Sequence, residues 1–500
     1  MAYVFLAIYI VCLVFISWYS SKRVKTIDDF FLGNRKIGPW ASAFAYATTY
    51  FSAVIFIGYA GNIGWNFGLA AVLIGIGNAL VGNYAAWKVL AKRTRSMTRK
   101  LNVSTMPDFF EKRYQSRGLK IAAAVVIFVF LTPYCASVYQ GLSYLFEMAF
   151  GIPFIYCILG MAVLTGVYLL IGGYLATVLS DMFQGVIMLF GVVVMVALVL
   201  GHSAVGGLAE GVRRLSEIDP ALTSLTGGAN WFALLSLIVL TSLGPWGLPQ
   251  MIHKFYAVKD ERSIKSATWL STAFCLLIGG GAYLSGVFGR LFLNNRLPVD
   301  AATGAGSVDM IMPQVISLAL PAALIGLIVI LVLSASMSTL SSLVLVSSSA
   351  ISMDLVKGTL RPNMENRSVM RLMRVLCVLF IAVSVVIATN RVNAIVTLMS
   401  FSWGTLAGSF LAPYLYGLYW KGATKAGAWA GVVSGVAVTG GLALFTTLSA
   451  PSIGMISMLA GIVVVPAVSL LTPKLSAAHL DYVFGSEEAP EETAAAAETA

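Results

Sequence analysis

Charged side chains are scarce in this chain. Asp, Glu, Lys and Arg make up 11% of its 500 residues and hydrophobic residues 59%, with a mean hydropathy of +0.88. A soluble domain carries about 25% charge and roughly 45–50% apolar residues, so water is excluded as the main solvent. The alternating ten-residue segments of a membrane barrel are missing. Helices are the other architecture that satisfies its own backbone groups within lipid, and the fold class is therefore an all-α polytopic membrane protein. Cysteine is sparse: Cys12, Cys135, Cys157, Cys275 and Cys377 each lie singly in an apolar run, without metal-type spacing, and read as packing residues. The three histidines, His202, His253 and His479, are scattered. Neither an HExxH motif nor a paired nucleophile and base occurs, so an intramembrane enzyme lacks its parts. Long polar tracts are absent as well. The three that exist, Trp87 to Lys120, His202 to Asn230 and Leu291 to Met310, are too short for a soluble catalytic domain. The first apolar run, Ala2 to Tyr19, is longer than a signal-peptide core and reaches Lys22 and Arg23 without a small-residue cleavage site; it reads as a retained span.

What the chain does have is apolar runs of membrane-crossing length, about 20 residues for a core about 30 Å thick. Thirteen spans are expected, at 2–20, 38–62, 67–88, 121–150, 153–171, 174–201, 230–252, 266–289, 312–353, 368–389, 393–418, 424–447 and 452–472. With the N-terminus outside, all but five of the 32 Lys and Arg fall in internal segments, the exceptions being Arg213, Arg214, Arg290, Arg296 and Arg391. This positive-inside bias means that the net charge of +11 reports topology and not a nucleic-acid partner. The expected setting is a cell membrane, with the N-terminus outside and the C-terminus cytoplasmic. The tail from Ser486 is acidic and alanine-rich with no apolar face, and reads as disordered.

Two spans carry interruptions. Span 2 holds Ala47-Thr48-Thr49-Tyr50-Phe51-Ser52-Ala53 and ends near Gly58 and Gly61, while span 7 holds Gly244-Pro245-Trp246-Gly247-Leu248-Pro249. Proline removes a backbone donor and clashes with the preceding turn, so span 7 is expected to open. The interruptions are five spans apart, an odd number, so spans 2–6 and 7–11 run in opposite senses, as in an inverted repeat with a midplane site. Glycine and proline also serve packing or kinking alone in such helices. Span 9 contains Ala335-Ser336-Met337-Ser338-Thr339. The Ala335 carbonyl and the Ser338 and Thr339 hydroxyls fall at i, i+3 and i+4 on one helical face, and hard oxygens of this kind suit a sodium ion. Two carbonyls from the unwound part of span 2 would raise the coordination to five. The same hydroxyls equally suit close helix approach or a bond back to their own backbone.

Three motifs bear on that choice: Asp28-Asp29-Phe30-Phe31-Leu32-Gly33; Gly172-Gly173-Tyr174-Leu175-Ala176 with Ser180-Asp181-x-x-Gln184; and Ala335-Ser336-Met337-Ser338-Thr339-Leu340-Ser341. In order and spacing the chain, over about residues 1 to 475, resembles the sodium/solute symporter family, which includes bacterial proline, pantothenate and sialic acid carriers and animal monocarboxylate and vitamin carriers. The resemblance implies an inverted five-plus-five (LeuT-like) core. Its divisions are 1–37 as first peripheral helix and internal loop, 38–201 and 230–418 as the two repeats, 202–229 as an external loop, 419–475 as two peripheral helices, and 476–500 as the tail. Carried over, the sodium site comprises the carbonyls of Thr48, Phe51 and Ala335 with the hydroxyls of Ser338 and Thr339. Asp181 is implied as an accessory group for sodium release or a second ion; as a carboxylate early in an apolar run it also reads as an interfacial helix start. Facing the solute would be Ser52, Tyr134, Gln140, Trp246 and Gln250, although Trp and Tyr are also common interfacial anchors. Where the proline carriers have an aspartate this chain has Tyr50, and Tyr50-Phe51-Ser52-Ala53 looks more like the pantothenate and monocarboxylate or vitamin branches. The expected function is sodium-coupled symport of a small organic acid by alternating access, functional as a monomer and without organic cofactor. A sodium/proline or other amino-acid or sugar symporter is the alternative, and a passive channel or membrane sensor is the reading from another class.

Overall fold

The computed structural model describes residues 2–22, 31–300, 304–390 and 394–485. Asp28 and Asp29, Arg391 and the acidic tail lie outside them. Among the described residues the chain is helical apart from its connections, and its only β pairing is two isolated bridges, Ile37 to Val258 and Val299 to Gly306. Among the described residues eleven helices are long and apolar enough to cross a membrane, and Phe154–Leu170 and Val308–Ala319 are shorter apolar helices.

Burial grades the helices from periphery to centre. The first, Ala2–Ser21, leaves Val4, Ile8, Val11 and Phe15 more than half exposed, as a helix facing lipid tails should. It is pinned to Phe154–Gly201 by Ser17 Oγ donating to the Tyr168 carbonyl at 2.8 Å and by Gln184 donating to the Tyr9 hydroxyl at 2.9 Å. Span 9, Ala322–Ser349, lies at the opposite extreme: every residue from Ile328 to Ala350 is buried. Its serines, alanines and threonine let neighbouring backbones approach closely where lipid supplies no hydrophobic drive between helices. Span 9 also begins later than its apolar run predicts. A separate helix, Ile311–Ala319, precedes it, and Leu320 is extended at φ −108° and ψ 139°. The reason is Pro321, which disfavours helical geometry in the residue before it.

Both interrupted spans are broken. In span 2 the helix Pro39–Tyr50 stops at Phe51, whose φ of −108° and ψ of 136° are extended, and helical geometry resumes from Val54. In span 7 the helix Trp231–Leu243 passes through a tight turn at Gly244–Trp246 and an extended Leu248 before Pro249–Tyr256. Pro249 sits at the first turn of that second half, where a missing N–H costs nothing. The second half of span 2 crosses span 8, Glu261–Val287, at backbone contact: a Cβ on Gly286 would lie 1.9 Å from the Ala60 carbonyl oxygen. Glycine is required there for want of space.

The basic segments gather at one end of the bundle. Arg95 donates to the Val258 and Lys259 carbonyls, Arg113 to those of Gly417 and Trp420, and Arg117 to that of Thr359. Much of this end is organised by the helix Met106–Tyr114, capped by the Thr105 hydroxyl accepting from the Asp108 N–H. Lys120 ties it to spans 4 and 9, with Nζ 2.8 Å from Asp108 and Glu111 and 4.0 Å from Asp354.

Candidate functional site

The break in span 2 lies directly against the hydroxyl face of span 9. Thr339 Oγ1 is 3.1 Å from the Ala335 carbonyl, 3.1 Å from that of Phe51 and 3.2 Å from that of Thr49. One hydroxyl can donate to only one carbonyl at a time, so these three acceptors with Thr339 form a cluster rich in oxygen and poor in protons. Ser338 completes the face, its hydroxyl 2.8 Å from that of Thr48. All five residues expected to hold sodium therefore meet at one place, 0–1% exposed. The Thr48 carbonyl accepts the Phe51 N–H at 3.3 Å, and the carbonyl turned toward Thr339 beside that of Phe51 belongs to Thr49, one residue along. The break is held open by serines: Ser336 Oγ accepts the Ala53 N–H at 2.9 Å and Ser52 Oγ that of Val54 at 3.2 Å. Two amides that would otherwise be orphaned at a helix start are thereby satisfied. The donor set contains neutral hard oxygens and no charged group, a set suited to a small monovalent cation.

Asp181 is fully buried, which removes the interfacial reading. Its carboxylate meets Lys254, from the second half of span 7, with Nζ 3.5 Å from Oδ2 and the two side chains 1% and 0% exposed. Lys254 also donates to Ser342 at 3.0 Å, and Ser342 contacts the Thr49 hydroxyl at 3.2 Å. A buried ion pair thus adjoins the hydroxyl face. The sequence reading placed Lys254 among the internal loop charges and missed this pairing. A lysine just over one turn beyond Pro249, followed by Phe255 and Tyr256, was the available signal.

The expected solute-facing residues separate into two groups. Ser52 caps the second half of span 2, and Tyr134 lies within reach of the Ser52 and Thr339 hydroxyls. Gln250 is buried with Oε1 unpartnered in the first turn of the second half of span 7. Trp246 points elsewhere, its indole N–H donating to the Val81 carbonyl at 3.0 Å on a partly exposed flank. Gln140 is engaged in capping, donating to the Asn390 carbonyl at 2.9 Å and the Ala388 carbonyl at 3.4 Å. Trp403, which the sequence did not single out, lies between Tyr50 and Tyr134, stacked on the first at 6.3 Å and edge-on to the second at 5.7 Å. Its indole N–H is buried without a partner, and Gly244 of the span 7 break packs on its ring. The Tyr50 hydroxyl donates to the Thr241 carbonyl at 2.6 Å, which joins the first halves of both broken spans.

Two broken helices deep in a helical membrane bundle, one of them opening onto an oxygen cluster, define a secondary transporter. The chain belongs to the sodium:solute symporter family, whose model matches residues 30–435. It is 30% identical over 471 residues to the osmoregulated proline transporter OpuE of Bacillus subtilis (strain 168), a match covering 92% of this chain and 93% of that protein. It is also 30% identical over 431 residues to the sodium/proline symporter of Salmonella typhimurium (strain LT2), covering 86% and 85%. Among solved structures it shares the fold of a Na+-coupled sialic acid symporter captured substrate-bound and outward-open, with a TM-score of 0.78 at 18% identity over 95% of this chain and 98% of that one. The protein is a sodium-coupled symporter of a small solute and not an enzyme.

Proposed function

We propose that this protein is a sodium/proline symporter, the alternative named from the sequence. The observation that carries this reading is the similarity, at 30% identity over most of both chains, to relatives described as proline transporters. Sodium enters the cluster of the Thr49, Phe51 and Ala335 carbonyls with the Ser338 and Thr339 hydroxyls, beside the Thr48 hydroxyl, and ties the broken part of span 2 to span 9. The solute lies against Ser52, Tyr134, Trp403 and Gln250, between the two breaks. A zwitterion suits such a pocket because broken helices expose both kinds of backbone end, with amides favouring a carboxylate and carbonyls favouring an amine. In this chain the amine must rely on carbonyls, since Tyr50 replaces an acid and its hydroxyl is already engaged. Closure of the helices around bound sodium and solute, followed by opening at the opposite face, completes alternating access. The gathering of basic segments at one end supports a cytoplasmic placement of that end, with the N-terminus outside. The cluster is complete within one chain, which supports function as a monomer.

That missing carboxylate favours the second reading, a small organic acid. Uptake of labelled proline into proteoliposomes, with an inward sodium gradient or with potassium in its place, decides between them. Accumulation of proline above the external concentration, only with sodium and with competition by unlabelled proline, is the expected result. Uptake of pantothenate or a short monocarboxylate without uptake of proline would replace the first reading by the second. Solute equilibration without accumulation in either salt would leave only a channel.

A further inference from the structure

The basic end of the bundle carries a cavity of about 450 Å³ lined by Arg35, Lys36, Arg99, Asn102 and Lys259. Arg35 and Arg99 spend donors on backbone carbonyls. Lys36 and Lys259 meet because a parallel bridge joins Ile37 to Val258, with the Lys259 N–H donating to the Ile37 carbonyl at 3.0 Å. Successive side chains of extended backbone point to opposite faces, so with Ile37 and Val258 in the core the two lysines turn outward and are exposed. Asp260, the carboxylate beside Lys259, is used as a helix cap, accepting the Ser263 N–H at 2.7 Å. Four residues on from Lys36, Trp40 stands 58% exposed, as tryptophan does at the boundary between headgroups and acyl chains. There a second cavity begins, of about 150 Å³ and almost wholly apolar, lined by Trp40, Phe44, Leu189, Phe274 and Leu277 of spans 2, 6 and 8. The hydroxyl in its wall, Ser271, donates to the Ala267 carbonyl at 2.7 Å. Ala273 and Leu277 are exposed on its rim, so it opens sideways from the bundle, toward lipid.

We propose that these two cavities form one binding site for an anionic phospholipid, its headgroup phosphate held by Lys36 and Lys259 and one acyl chain laid between Trp40, Phe44 and Phe274. Charge complementarity selects this occupant. An acyl chain gains little by leaving other lipid for an apolar groove, because lipid tails are as apolar as the side chains that line it. Affinity must therefore come from the headgroup. Each basic side chain near a membrane surface raises affinity for anionic lipid roughly fivefold, and two raise it roughly 25-fold over a zwitterionic lipid. The site also abuts a part that moves. One wall is the helix Pro39–Tyr50, where Phe44 packs edge-on against Phe274 at 5.7 Å and its carbonyl accepts the Thr48 hydroxyl at 2.7 Å. Thr48 is followed directly by Thr49, whose carbonyl faces Thr339. A bound lipid therefore steadies the half of span 2 that ends in the oxygen cluster and raises its affinity for sodium. That consequence rests on the sodium-site reading above, whereas the lipid site stands without it.

The test is native mass spectrometry of the purified full-length protein, titrated with phosphatidylglycerol or with phosphatidylcholine of the same chain lengths. Phosphatidylglycerol is expected to bind roughly 25-fold more tightly, and the double variant Lys36→Gln with Lys259→Gln to lose that preference. Ala273→Trp, which fills the groove without changing charge, is expected to weaken phosphatidylglycerol as well. Equal affinity for the two lipids, or a double variant that keeps the preference, overturns the proposal. Displacement of phosphatidylglycerol by an equal concentration of inorganic phosphate assigns the basic cavity to a free anion and overturns the lipid site, as does unchanged binding in a folded Ala273→Trp. Should Ala273→Trp not fold, the lysine variant, altered only at exposed side chains, and the phosphate competition still decide. Equilibrium 22Na+ binding in phosphatidylcholine nanodiscs, with and without phosphatidylglycerol, then reads the consequence. Phosphatidylglycerol should raise sodium affinity more in the unaltered protein than in the double variant, which controls for the surface potential of the bilayer. An equal rise in both overturns the link to span 2. An absence of sodium binding in either bilayer removes the sodium-site reading and leaves the lipid affinities standing.

Discussion

Removing the Thr339 hydroxyl examines the proposed sodium site most directly. In Thr339→Ala the face of span 9 loses the one oxygen that lies within 3.1–3.2 Å of carbonyls from both span 2 and span 9. The backbone acceptors remain, so the cluster keeps most of its shape and loses one ligand. A hydrogen-bond-scale interaction with a charged group contributes about 1.5–3 kcal/mol, and each 1.4 kcal/mol is about tenfold in affinity. The sodium concentration for half-maximal uptake should therefore rise roughly 10- to 150-fold. Thr339→Ser, which keeps the hydroxyl and loses a methyl group, should stay near the unaltered protein. The assay is initial-rate solute uptake in proteoliposomes across a sodium series at constant ionic strength. Unchanged sodium activation in Thr339→Ala, in protein that is folded and inserted, would refute the assignment of this cluster to sodium.

Further perturbations address the framework. Lys120→Met strips the counter-ion from Asp354, itself 2% exposed, and should cost about 3 kcal/mol as a broken buried pair, read as a lower thermal unfolding midpoint. Gly286→Ala forces a methyl group to within 1.9 Å of the Ala60 carbonyl oxygen and should destabilise by about 1–3 kcal/mol. Gly280→Ala, in the same helix with open space around it, should be neutral or slightly stabilising because alanine favours helix; equal midpoints for the two would contradict the crossing described. On the helix Leu208–Ile218, outside the apolar spans, hydrogen bonds from Arg213 and then Arg214 hold the Glu210 carboxyl down at about 2. A depressed carboxyl stabilises the folded form above its unfolded value of about 4.5 and loses that contribution as pH falls toward 2. Hydrogen exchange in this helix should accelerate across that interval, and Glu210→Gln should remove the pH dependence.

Much of this was legible in the sequence because membranes impose local rules. Lipid demands that backbone groups be satisfied within each segment, so apolar runs of about 20 residues announce helices. Pro245 and Pro249 announce a break, since a missing N–H acts where it occurs. The hydroxyl face of span 9 follows from helical periodicity within five residues. The tertiary structure decided what faces that hydroxyl surface. Thr339 meets Phe51 across 288 residues of chain and Lys254 meets Asp181 across 73, and no periodicity encodes such distances. Side-chain direction was likewise hidden. Trp246 follows its turn outward to Val81 while Trp403, in an unremarkable apolar run, becomes the wall between Tyr50 and Tyr134. Solvent and local stereochemistry determined the helices and their breaks, whereas the cation partners were set by packing, through the energy of bringing buried charges and oxygens together from distant parts of the chain.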